Sequence, residues 1–80
     1  MKIAIVGTGY VGLVSGACFA EIGHEVVCVD VDAGKVESIN RGVAPFAEHG
    51  LDELLLRNVQ QRRLSATTRL ADALEGRRTY

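Results

Sequence analysis

Lys2-Ile3-Ala4-Ile5-Val6-Gly7-Thr8-Gly9-Tyr10-Val11-Gly12 decides how this chain folds. A β-branched apolar run leads straight into Gly-x-Gly-x-x-Gly, and a helical pattern follows. The run from Lys2 to Val6 reads as a strand buried on both faces. Gly7 allows a sharp exit from it, Gly9 removes the side chain where a backbone must approach a phosphate, and Gly12 lets the helix lie close to the strand. A helix beginning near Tyr10 presents unpaired N–H groups and the positive end of its dipole at that spot. A second apolar run, Val26-Val27-Cys28-Val29, ends in Asp30, 18 positions beyond Gly12. The offset is close to the roughly twenty at which an acid meets the ribose hydroxyls of a dinucleotide.

Strand, glycine loop, helix, second strand and acid fall in the order of a dinucleotide-binding βαβ unit. A carboxylate at Asp30 accepts hydrogen bonds from ribose hydroxyls and repels a 2′-phosphate, which points to NAD rather than NADP. A flavin dinucleotide uses the same cradle, and these residues alone leave FAD open. The competing reading is a strand-to-helix turn without a ligand. The acid in register with the loop argues against it.

The rest of the chain bounds this reading. Eighty residues hold one small domain, whereas a complete doubly wound domain is built from two mononucleotide-binding halves. The expected fold is therefore α/β: a partial Rossmann-type parallel sheet of about three strands with flanking helices, an incomplete doubly wound domain. The N-terminal half of an NAD-binding domain is expected over 1–74 and a polar tail over 75–80. The length suggests a fragment, with the outer edge of the first strand left unpaired. The net charge of −1 gives no global attraction to nucleic acid or to a membrane surface. Arg57, Arg62, Arg63, Arg69, Arg77 and Arg78 crowd the last third. With no aromatic residues between them, a solvated face is preferred over a nucleic-acid patch. Cys18 and Cys28 lack metal-ligand spacing and read as small buried hydrophobes in a reducing cytoplasm, so no metal site is expected. The N-terminal apolar run superficially resembles a signal peptide, but glycines interrupt it, and export is not expected. No stretch approaches the ~18 apolar residues of a membrane span.

Along the chain, Val11, Val14, Cys18 and Ile22 recur at helical spacing, and Gly23 supplies the stop. Asp32 is placed to cap a helix running to about Asn40, with Val36, Ile39 and Val43 inward. Leu51, Leu54, Leu55 and Val59 form the stripe of a further helix, with Asp52 and Glu53 in its first turn. Leu64 to Thr67 reads as a short third strand, and Thr68 as the cap of a last helix carrying Leu70, Ala73 and Leu74.

The run from Tyr10 to His24, with Cys28-Val29-Asp30-Val31-Asp32 and Lys35-Val36, closely resembles the UDP-glucose/GDP-mannose dehydrogenase family. The resemblance extends from Met1 to about Leu74, through Asn40-Arg41-Gly42, Pro45, Glu48, Gly50-Leu51 and Leu64-Ser65-Ala66-Thr67-Thr68. The Gly16-Ala17-Cys18-Phe19-Ala20-Glu21 run favours its UDP-glucose branch. The resemblance implies a cytoplasmic NAD-dependent dehydrogenase that oxidises the C6 hydroxyl of a nucleotide sugar to a carboxylate with two NAD, and a full-length homo-oligomer. It implies no nucleic-acid or membrane partner. The family's reactive cysteine, catalytic lysine and sugar-binding residues fall beyond Tyr80, so no catalytic residue is assigned here. Cofactor binding does carry over: Gly7, Gly9 and Gly12 match the phosphate loop, the amides of Tyr10 and Val11 the helix start, and Asp30 the ribose acid. Lys35 matches a basic position near the ribose, with an ordinary exposed lysine as its alternative. Glu48 matches a loop acid, here with a capping contact as the alternative to chemistry, and His24 reads as structural. The chain departs from the family where Ala47 and His49 replace an aromatic residue and a second proline around Glu48. The alternatives are a stand-alone NAD-binding module, a non-functional truncated remnant, or part of a hydroxyacyl-CoA or 6-phosphogluconate type dehydrogenase.

Overall fold

The computed structural model of the protein describes residues 1–74 and 78–79. Its elements are β1 (Lys2–Val6), α1 (Tyr10–Glu21), β2 (Glu25–Val29), α2 (Ala33–Asn40), α3 (Leu51–Gln60), β3 (Leu64–Thr67), α4 (Leu70–Leu74) and β4 (Arg78–Thr79). The strands form one parallel sheet in the order β3-β2-β1-β4. The three expected strands are present. The fourth corrects the expectation of an unpaired β1 edge, because Ile3 and Ala4 pair with Arg78 and Thr79. The remainder of the expected polar tail, 75–77 and Tyr80, lies outside the described residues.

Alternation along the strands divides the core into two layers. Ile3 and Ile5, Val26 and Cys28, and Leu64 pack on one face with Leu13, Ala17, Ala20, Ile39, Leu51 and Leu55 from the helices. Ala4, Val27 and Val29 occupy the opposite face with Ala73 of α4. The inward side of α1 differs from expectation. Leu13, Gly16, Ala17 and Ala20 are buried, whereas Val11 and Ile22 are 74% and 73% exposed and Cys18 is exposed. Small residues win the sheet-facing side because the helix lies close: a Cβ at Gly16 would stand 3.3 Å from Cys28 Sγ and 3.4 Å from Val26 Cγ1. Cys28 is buried as expected. Val43 is half exposed rather than inward, and Ile39 alone of α2 is fully buried.

Polar side chains close the remaining gaps. Asp32 caps α2 by accepting from Gly34 N–H at 2.9 Å and Lys35 N–H at 3.2 Å. Asn40 at the end of α2 pairs with the outer edge of β3, donating to Ala66 C=O at 3.0 Å and accepting from Ala66 N–H at 2.8 Å. Asn58 on α3 is completely buried; it donates to Glu21 Oε1 at 3.0 Å and to Leu54 C=O at 2.9 Å, and accepts from Arg63 at 3.1 Å. Ahead of α4, the Thr67 hydroxyl rather than Thr68 receives the Arg69 N–H, at 3.1 Å. Among the described residues no helix is long and apolar enough to cross a membrane.

Candidate functional site

The loop between β1 and α1 is built by main-chain constraints. Gly7 turns out of β1 at φ +95°, and its N–H donates to Val29 C=O at 2.7 Å, tying the loop to the end of β2. Gly9 is extended, at φ −67° and ψ 178°, and precedes α1 without a capping side chain. A Cβ there would meet nothing within 4 Å, so the space above the loop is open. Gly12 is the opposite case: a Cβ would stand 2.7 Å from Gly7 C=O. The close approach that demands glycine at this position is to the loop itself more than to the strand.

The first turn-to-turn hydrogen bond of α1 runs from Leu13 N–H to Gly9 C=O at 2.9 Å. The amides of Tyr10, Val11 and Gly12 stand ahead of it, and α1 has no acidic residue in its first turn. Free amides and the helix dipole therefore favour an anion at this corner.

Asp30 sits beside the loop at the end of β2. Its Oδ2 accepts from both Thr8 N–H, at 3.0 Å, and the Thr8 hydroxyl; its Oδ1 accepts from Asp32 N–H at 2.9 Å. The Thr8 hydroxyl first, then the Asp32 amide, hold the Asp30 carboxyl below its usual range, and the charge of Lys35 adds to the effect. A carboxylate offers about four lone-pair positions, and three are already engaged. Asp30 is expected from the sequence to accept from the ribose hydroxyls; the structure adds Thr8, which already engages Oδ2. Thr8 is 1% exposed, and the sequence offers only its place between Gly7 and Gly9 as a pointer to it.

Val6, Gly7, Val29, Asp30 and Val31 line a cleft of about 240 Å³ at the carboxyl ends of β1 and β2. Val31 is 95% exposed there. A larger dent of about 320 Å³, lined by Gly34, Glu37, Ser38, Arg41 and Val43, includes none of the loop residues. On the other side of the α1 start, the Tyr10 ring packs 5.6 Å from Phe46. Glu48 faces the Tyr10 phenol and raises its pKa through hydrogen bonding and charge. The segment between α2 and α3 thus reaches back to the glycine loop, and Glu48 serves as a contact there. His24 packs edge-on against Phe19, and its buried Nδ1 has no partner. No group of three potential metal ligands is gathered among the described residues.

The geometry suits a diphosphate joined to a sugar diol: open space over Gly9, amides behind it and a fixed carboxylate to one side. Comparison with known proteins agrees. The chain is 53% identical over 73 residues to the UDP-glucose 6-dehydrogenase TuaD of Bacillus subtilis, covering 91% of this chain and 16% of that protein. It is 53% identical over 74 residues to a UDP-glucose 6-dehydrogenase of Rhizobium meliloti, covering 92% of this chain and 17% of that one. Among solved structures, a ternary complex of GDP-mannose dehydrogenase from Pseudomonas aeruginosa superposes with a TM-score of 0.90 at 46% identity, over 92% of this chain and 17% of that chain. The protein thus spans less than a fifth of the length of these relatives. With residues 1–77 matching the family's model for its NAD binding domain, the chain belongs to the UDP-glucose/GDP-mannose dehydrogenase family.

Proposed function

We propose that this chain is the NAD-binding portion of a UDP-glucose 6-dehydrogenase, which converts the C6 hydroxyl of UDP-glucose to a carboxylate at the expense of two NAD. One observation carries the reading: unpartnered amides at the start of α1 open onto side-chain-free space at Gly9, with Asp30 fixed beside them. The loop of Gly7, Gly9 and Gly12 and the amides of Tyr10 and Val11 hold the pyrophosphate. Asp30 accepts from the adenosine ribose through Oδ1, and Lys35 supplies positive charge near it. Bound NAD supplies the hydride acceptor; the residues described here bind and orient it. The UDP-glucose enzymes span 43–53% identity and the GDP-mannose enzymes 43–47%; the two relatives at 53%, both UDP-glucose enzymes, favour the UDP-glucose assignment. A nucleotide-sugar substrate, a cytoplasmic location and a homo-oligomeric full-length enzyme complete the proposal.

Calorimetric titration with NAD and NADP tests the cofactor assignment. NAD is expected to bind and NADP to bind more weakly. Asp30→Ala is expected to weaken NAD by about 1–3 kcal/mol, the cost of leaving hydrogen-bonding groups unpaired. Because the Asp30 pKa is depressed in the folded protein, its contribution to folding stability is complete above the ordinary carboxylate pKa of about 3.9. It disappears only as the pH falls through the lower, folded value. An Asp30→Ala variant with wild-type affinity would remove Asp30 from the site. Turnover of UDP-glucose against GDP-mannose by a full-length enzyme carrying this segment tests the substrate.

A further inference from the structure

Asp30 is anchored by a residue outside the glycine fingerprint. Thr8 lies 22 positions earlier in the chain, yet its N–H and its hydroxyl converge on the same oxygen, Oδ2. Thr8 is almost fully buried while Asp30 is partly exposed and lines the cleft at the ends of β1 and β2. The β-branched threonine has few rotamers available, so the anchor is stiff. A carboxylate at an exposed strand end would otherwise turn freely about its side-chain bonds. Here Thr8 and the Asp32 amide hold both oxygens, and only Oδ1 retains an open lone pair.

We infer that Thr8 is a positioning residue for ribose recognition: its hydroxyl fixes the Asp30 carboxylate so that the site accepts a free 2′-hydroxyl and rejects a 2′-phosphate. The inference rests on the NAD-binding reading and adds a specificity device to it. A fixed negative charge cannot retreat from a 2′-phosphate, whereas a loosened one can swing away. The depressed Asp30 pKa agrees with a hydroxyl donating to the ionised form.

Thr8→Val removes the hydroxyl at nearly constant shape and keeps the backbone donor; Thr8→Ser restores the hydroxyl. Two readouts apply. Carboxyl-carbon NMR follows the titration of Asp30 without ligand, and calorimetry measures NAD and NADP affinity. In Thr8→Val the Asp30 titration is expected to move up toward the ordinary value, NAD affinity to fall roughly tenfold as for one hydrogen bond to a charged group, and the NAD-to-NADP preference to narrow. Thr8→Ser is expected to recover all three. Thr8→Ala takes the place of Thr8→Val if circular dichroism shows the latter unfolded. A folded hydroxyl-free variant with wild-type Asp30 titration and wild-type NAD-to-NADP preference overturns the inference and leaves NAD binding standing. A wild-type protein that binds neither nucleotide overturns the NAD reading and this inference together.

Discussion

A methyl group added at Gly12 would sit 2.7 Å from the Gly7 carbonyl oxygen, whereas one added at Gly9 meets nothing within 4 Å. The two loop glycines therefore separate folding from binding. Gly12→Ala is expected to cost about 1–3 kcal/mol in urea unfolding, as forced overpacking does. Gly9 already has a backbone conformation that alanine adopts, so Gly9→Ala is expected to leave stability within about 0.5 kcal/mol. It should still lower NAD affinity in calorimetry, by placing a methyl where the diphosphate passes. Equal stability losses in both variants would contradict this division. At this scale the sequence was partly legible. Glycine spacing and the terminal acid announced the site, because backbone geometry leaves few residue choices there. The Thr8–Asp30 bond was not legible, since it joins positions 22 apart and depends on where two loops come to rest.

Among the elements, β1 and β2 were readable from their β-branched runs and α2 from its Asp32 cap. Helix α1 was misread on its packing side. It is apolar nearly all round, so periodicity cannot choose a face, and the choice falls to the small residues that permit close approach. Strand β4 escaped notice because two polar residues carry no strand pattern in the sequence. The joint between α1 and α3 was also hidden. Glu21 receives Arg57 through Nε and Nη2, both at 3.1 Å, and Asn58 at 3.0 Å. These donors lower the Glu21 pKa, Asn58 first. Asn58→Ala is expected to cost about 1–3 kcal/mol, because buried groups lose their partners. Chemical denaturation measures it, and a loss below about 0.5 kcal/mol would show the joint to be dispensable.

For the molecule as a whole, the two cysteines give a probe of global opening. Burial beneath α1 pushes the Cys28 thiol up to about 12, while Cys18 is exposed on the outer side of the same helix. A thiol reagent near pH 8 is expected to modify one equivalent quickly, at Cys18, and the second only at the rate of unfolding. Rapid modification of both would mean that the face beneath α1 opens without unfolding. The layered architecture was legible from the alternation of strand and helix. The presence of β4 on the open side of β1 was not, because Arg78 and Thr79 are polar and lack a strand pattern. The Asn40 amide has a consequence for association between molecules. It occupies the outward N–H and C=O of Ala66, groups that would otherwise template a foreign strand, so a strand adding to this flank of the sheet must first displace the Asn40 amide.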